Sequence, residues 1–381
     1  MMMNEKISEA PFPNLYGKRK WIFLIPFILM NSILLTGLIL SFMNPGFRNP
    51  PDTDLRPLLQ GEWTTAYQNK YEEELPIRDF ARNVWGFIRF VLFREGENGI
   101  VVGAENWLYT AEEFTIYDGG KNRLEKTITY ITEVRQELIN LGVHLVIAPV
   151  PAKVRVYPEH LGRRGMPEEL ETRYRSFLAK LNESDIEVSN ILSALLREKS
   201  SSQVFLRTDT HWTPAGASAA AEKISETVIP LLEQESVSRG DIIREQGDIV
   251  TYRGDLFNFL PLGAFQDTVG PAPDRIETFE YIKKNGPNQS LFGEIITPVA
   301  LTGTSYSAGE LWDFSGALEA ALDVDVINMA TEGDGPFIPM QTFIQELKSR
   351  DDLNPEVVIW EIPERYIADP EMIPDTFTGQ F

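Results

Sequence analysis

Val143–Val150 reads V-H-L-V-I-A-P-V, a continuous apolar run of strand length. A strand with one wet face alternates apolar and polar residues, so a run like this is expected of a strand covered on both faces. Helices must then flank it, and the neighbouring segments supply them. Upstream, Arg123–Asn140 has the spacing of an amphipathic helix closed by Leu141-Gly142, and Gly99–Tyr109 reads as two short strands around a Gly-Ala-Glu-Asn turn. Downstream, helices are expected over Glu168–Leu181 and Ile191–Glu198, with a short strand at Ile186–Val188. Val204–Leu206 leads into a turn, and a helix follows through Ala217–Thr227, with Thr213 as its N-cap and Pro214 at its first position. Residues 230–293 are rich in Gly and Pro and lack long periodic segments, reading as an insertion of loops and short strands. Alternation then resumes with strands at Thr297–Leu301, Val324–Asn328 and Glu356–Ile362, separated by helices at Leu311–Leu322 and Phe337–Arg350. This order predicts an α/β fold: a mostly parallel sheet with helices on both faces.

Outside that region, Lys18, Arg19 and Lys20 precede an uncharged run from Trp21 to Met43, long enough to cross a bilayer as one helix. A cleaved signal peptide would have a shorter apolar region and a small-x-small site, whereas this run ends in Ser-Phe-Met-Asn-Pro. The reading is a cytoplasmic tail (1–20), a transmembrane anchor (21–43), a proline-rich linker (44–61), a catalytic-type domain (62–370) and a short C-terminal tail (371–381). The basic flank keeps the N-terminus in the cytoplasm and puts the rest in the periplasm or cell exterior, a single-pass protein of the inner membrane. Aromatic residues from Trp63 to Phe90 recur at helical spacing and are expected to pack internally.

The chain has 35 basic and 56 acidic residues, a net charge of −21. Beyond residue 20 it holds 31 basic against 54 acidic residues, a net −23. That field argues against nucleic acid as a partner. There is no cysteine, which removes disulfides and thiolate chemistry. The three histidines, at 144, 160 and 211, lack H-x-x-x-H spacing, which argues against a histidine-built zinc centre.

Chemistry points to L-R-T-D-T-H-W-T-P-A-G at 206–216. On a tight turn Asp209 can accept from one ring nitrogen of His211 and leave the other free to act as a base. The nucleophile must be Ser, Thr or water. Thr302-Gly303-Thr304-Ser305-Tyr306-Ser307 follows an expected strand and precedes a helix, the place where reactive groups gather in open α/β sheets. Ser305 could also offer its own N–H to an oxyanion. The match to G-x-S-x-G is partial, because Ser307 stands where the second glycine belongs. Each element also has an ordinary structural explanation: Asp209 and Ser305 as helix caps, His211 as a packed core residue.

D-T-H-W-T-P-A-G followed by L-T-G-T-S-Y-S at 301–307 resembles the AlgX/AlgJ alginate O-acetyltransferase family, SGNH-hydrolase-like proteins whose Asp-x-His element precedes the serine. L-P-I-R-D at 75–79, V-V-G-A-E-N-W-L-Y at 101–109, A-P-V-P-A-K at 148–153 and I-W-E-I-P-E-R-Y at 359–366 extend the resemblance over about residues 60–370. It implies Ser305 as nucleophile, His211 as base and Asp209 as its orienting partner, with no cofactor and no metal. Asn328 and Gly333 or Gly335 are candidate oxyanion donors, and Trp212, Tyr306, Arg163 and Arg164 candidate acceptor contacts. The acceptor would be a polysaccharide, and a separate polytopic membrane O-acyltransferase would supply acetyl. Few residues follow Tyr366, so no C-terminal carbohydrate-binding module is expected. A surface of this charge repels a polyuronate unless basic groups cluster locally; Lys153, Arg155, Arg163, Arg164, Arg173 and Arg175 are candidates, and a neutral polymer fits equally. An esterase with the same triad, and a non-catalytic polysaccharide-binding or assembly subunit, are the competing readings.

Overall fold

The computed structural model describes residues 20–43, 65, 68, 77–162, 165–233, 242–283, 297–369 and 371–373. The tail before Lys20, the proline-rich linker, Arg163 and Arg164 therefore lie outside the described residues. Two compact units divide the chain, Met1–Trp85 and Gly86–Phe381, so residues 62–85, expected within the sheet domain, fall in the first.

In the first unit Lys20–Met43 forms one 24-residue helix, α1, with Pro26 inside it. Its side chains at 20–23, 25, 41 and 42 are outside the described set; among the described residues no helix is long and apolar enough to cross a membrane. Helix α2 (Arg78–Ile88) begins in this unit; its last residues, from Gly86, and the π-helical turn at Arg89–Phe93 belong to the second. Internal packing of the aromatic stripe holds only in part. Phe90 is buried, but Phe80 and Trp85 are 65% and 59% exposed, and Trp63, Tyr67 and Tyr71 are outside the described residues.

The second unit continues with the expected hairpin, β1 (Ile100–Val102) against β2 (Leu108–Thr110), antiparallel. Helix α3 (Gly120–Asn140) leads into β3 (His144–Val150), α4 (Glu168–Glu183) into β4 (Glu187–Val188), and α5 (Leu192–Glu198) towards α6 (Pro214–Val228). The insertion is not a set of short strands. It is one long antiparallel hairpin, β5 (Ile242–Tyr252) with β6 (Asp274–Lys283), joined by short helical turns. Then come β7 (Val299–Thr302), α7 (Phe314–Leu322), β8 (Val326–Asn328), α8 (Phe337–Ser349) and β9 (Val357–Pro363).

Five strands form one sheet in the order β4-β3-β9-β7-β8, every pair parallel. Strand β9 lies in the middle, fully buried, with Ile147 opposite Trp360 on one side and Leu301 opposite Ile359 on the other. The two-residue period sorts side chains to opposite faces. Val146, Ala148, Val150, Val299, Leu301, Val357 and Ile359 enter a core with α6 and α7. Leu145, Ile147, Ala300, Val358, Trp360 and Ile362 enter a second core with α3, α4 and α8. The apolar run at 143–150 is apolar because both its faces are covered.

Candidate active site

Ser305 comes directly after β7. The strand ends at Thr302, Gly303 and Thr304 turn the chain, and Ser305 is the first residue of a single helical turn, Ser305–Ala308. Thr304 Oγ1 caps that turn by accepting from the Tyr306 N–H at 3.3 Å.

Asp209 and His211 lie in the turn after Val204–Leu206, ahead of α6. They occupy a loop pinched shut where Phe205 bridges Trp212, with the Leu206 N–H donating to the His211 carbonyl at 3.0 Å. Thr213 caps α6 as expected, accepting from the Gly216 N–H at 3.1 Å. Groups far away in sequence secure the loop. The Asp274 carboxylate accepts from the Arg207 and Thr208 N–H groups at 3.0 and 2.9 Å. Asp255 accepts from the Thr210 N–H at 2.9 Å, and the Tyr306 hydroxyl donates to the Thr210 carbonyl at 2.7 Å. The buried Lys153 ammonium donates to the carbonyls of Asp209 at 2.8 Å and Arg207 at 3.2 Å. Burial pushes Lys153 down to about 8, against the raising pull of Glu113 and Asp209.

Within this frame the side chains meet. The Asp209 Oδ1 lies 2.7 Å from His211 Nδ1 and the His211 Nε2 lies 2.7 Å from Ser305 Oγ. Asp209 also accepts the His211 N–H at 2.8 Å, the Asp255 N–H at 2.8 Å and the Tyr252 hydroxyl at 3.1 Å. Burial alone would raise Asp209, but the bond and charge of His211 and these N–H groups hold it well below the usual carboxylate range. An ionised Asp209 fixes a proton on Nδ1 and leaves Nε2 as the acceptor for the serine hydroxyl. The imidazole stacks on Trp312 with ring centres 4.4 Å apart. Ser305 is half-buried, while Asp209 is fully enclosed.

Ligand atoms of Asp209, His211 and Asp255 lie within 4.8 Å of one another. The Asp209 oxygens already accept from four donors and both ring nitrogens have partners, a pattern of a hydrogen-bonded relay and not of a cation cage.

Over residues 100–364 the chain matches the family described as SGNH hydrolase-like domain, acetyltransferase AlgX. It belongs to that AlgX family. The probable alginate O-acetylase AlgJ of Pseudomonas aeruginosa is 38% identical over 334 residues, covering 85% of this chain and 83% of the relative. The solved O-acetyltransferase domain of Pseudomonas putida AlgJ is 38% identical with a TM-score of 0.63, covering 72% of this chain and 97% of that domain. The Pseudomonas aeruginosa AlgX structure, at 24% identity and a TM-score of 0.56 over 72% of this chain and 65% of that one, shares the fold.

Other expected contacts of this AlgX-family chain are placed differently. Trp212 is fully buried between Tyr306 and Phe314, and Tyr306 is 1% exposed, so neither offers a surface to an acceptor; Tyr306 packs against His211 and Trp212 packs behind Tyr306. Asn328 spends its amide on the chain itself, donating to the Ser307 carbonyl at 2.8 Å and accepting from the Ala330 N–H at 3.0 Å. Gly333 takes a left-handed conformation (φ 84°) in an exposed turn, and no described hydrogen bond links it to Ser305. Three residues of the basic cluster are spent on internal contacts. Lys153 holds the histidine loop, Arg155 pairs with Glu364 at 2.5 Å, and the buried Arg173 donates to the Thr115 carbonyl at 2.6 Å. Sequence reasoning missed Lys153 in this role, together with Tyr252, Asp255, Asp274 and the buried Glu361 beneath Ser305. Only Glu361 carried a local signal, as a lone carboxylate in the apolar run Val357–Pro363.

Proposed function

We propose that this protein is a membrane-anchored, extracytoplasmic enzyme that transfers acetyl groups to hydroxyls of an exopolysaccharide through an ester on Ser305. The observation that carries this reading is the unbroken chain Asp209–His211–Ser305 with two contacts of 2.7 Å. In the first half-reaction Ser305 Oγ attacks the acetyl carbonyl while His211 Nε2 takes its proton, then returns that proton to the departing group of the donor. In the second, a sugar hydroxyl gives its proton to His211 and attacks the ester carbonyl, and Ser305 leaves, recovering the proton. The Ser305 N–H, at the start of the helical turn, faces the developing oxyanion. The names of the AlgJ relatives support a polysaccharide acceptor such as alginate.

A polytopic membrane O-acyltransferase would present acetyl at the outer face. The basic residues at 18–20 and the uncharged segment 21–43 support a membrane anchor. Incubating the full-length protein with an activated acetyl ester and oligosaccharides, followed by mass spectrometry, tests the reading. Acetylated sugar and an acetylated Ser305 peptide are expected, with Ser305→Ala lowering both by about 10³-fold or more. Acetylated product persisting in Ser305→Ala removes the serine from the mechanism.

A further inference from the structure

Beneath the Ser305 turn lies a carboxylate that the triad does not use. Glu361 projects from β9 one residue past Trp360, which is paired with Thr302, the last residue of β7. It is completely buried. Its Oε2 accepts from the Thr304 N–H at 2.7 Å, the Thr304 hydroxyl at 2.9 Å and the Ser307 hydroxyl at 3.2 Å. A Cβ at residue 303 would lie 2.5 Å from that oxygen and 2.7 Å from the Glu361 Cβ, so only glycine lets the two segments approach this closely.

The N–H groups of the turn are thereby sorted. Thr304 donates to Glu361, and Tyr306 to the Thr304 hydroxyl oxygen, which is oriented because its own proton is held by Glu361. Ser307 and Ala308 donate to the Thr304 carbonyl, and Gly309 to that of Ser305. Among the described contacts from Thr304 to Gly309, the Ser305 N–H alone has no acceptor. Ser307, which spoils the match to G-x-S-x-G, is explained by the same carboxylate: its hydroxyl is one of the three donors.

We infer that Glu361 is the positioning residue of the acyl-transfer site, tying Thr304 and Ser307 so that the Ser305 N–H and hydroxyl are presented together to the reacting carbonyl. The inference rests on the proposed ester at Ser305 and adds the group that aims it. All three donors reach Oε2, with the Thr304 hydroxyl also 3.2 Å from Oε1, so Glu361→Gln with its amide oxygen at the Oε2 place retains the tie, whereas Glu361→Ala removes it.

The test is acetylation of Ser305 in the full-length detergent-solubilised protein by p-nitrophenyl acetate, with kcat and KM from product release, labelling from intact mass, and a thermal melt for each variant. Glu361→Ala is expected to lower kcat about 100-fold with KM unchanged, the scale of losing one oxyanion donor. Glu361→Gln should restore kcat to within about tenfold of native. Thr304→Val, which keeps the residue-304 N–H but removes the hydroxyl, is expected near a tenfold loss and carries the test if Glu361→Ala does not fold. A folded Glu361→Ala or Thr304→Val acetylating at the native kcat overturns the assignment, as does Glu361→Gln as slow as Glu361→Ala. Native protein that never labels at Ser305 overturns the serine-ester reading and this assignment together, whereas normal native labelling with unaffected variants overturns the assignment alone.

Discussion

The proton inventory of Asp209 sets how His211 behaves. Four donors converge on one buried carboxylate, so it stays ionised far into the acid range. Asp209→Asn should leave the loop in place but reverse the preferred ring tautomer, with kcat falling by about 10⁴-fold in steady-state assays. Lys153 gives a second, opposite case. Its folded-state value of about 8 lies below the ordinary 10.5. Between those values the unfolded chain holds a proton that the folded chain has released, so stability rises with pH across the window, by up to about 1.4 kcal/mol per unit. Urea melts at pH 8 and 9.5 should show native protein gaining on Lys153→Met; a constant gap would mean the ammonium is not perturbed.

At the scale of elements, α6 is fixed by its first turn. Thr213 Oγ1 accepts from the Gly216 N–H and also donates to the Gln203 carbonyl, joining the helix to the segment before the histidine loop. Thr213→Ala should cost about 1–2 kcal/mol in denaturant melts. This cap was legible because its signal is local: Thr followed by Pro, then small residues. The sheet was legible for a related reason, since β3, β7 and β9 are buried on both faces and their sequences are largely apolar, with Glu361 the one carboxylate inside them. The β5–β6 hairpin was not. Most of its side chains are half-buried or exposed, so charged residues such as Arg244, Glu245, Glu277 and Glu280 mask the strand pattern. At the site, Asp209, His211 and Ser305 were visible as short motifs. Tyr252, Asp255 and Asp274 were not, because they reach the loop across 43 to 67 residues with no spacing that marks them.

For the whole molecule, charge decides which acceptors approach easily. A net −21 chain whose basic residues 153, 155 and 173 are committed internally repels a polyanion at long range. Initial rates with a polyuronate acceptor should rise several-fold as ionic strength increases from about 0.01 to 0.15 M, where the screening length falls from about 30 to 8 Å. Rates with a neutral oligosaccharide should stay level; equal salt response for both acceptors would remove long-range repulsion as a factor. The anchoring of the histidine loop by the hairpin also limits how the protein can be recombined with its relatives. A chimaera joined between His211 and Asp274 would pair one parent's histidine loop with the other parent's Asp274, and with its Tyr252 and Asp255 when the junction comes before them. Exchange of this part of the chain should therefore work only as a cassette, with junctions ahead of Val204 and beyond Lys283.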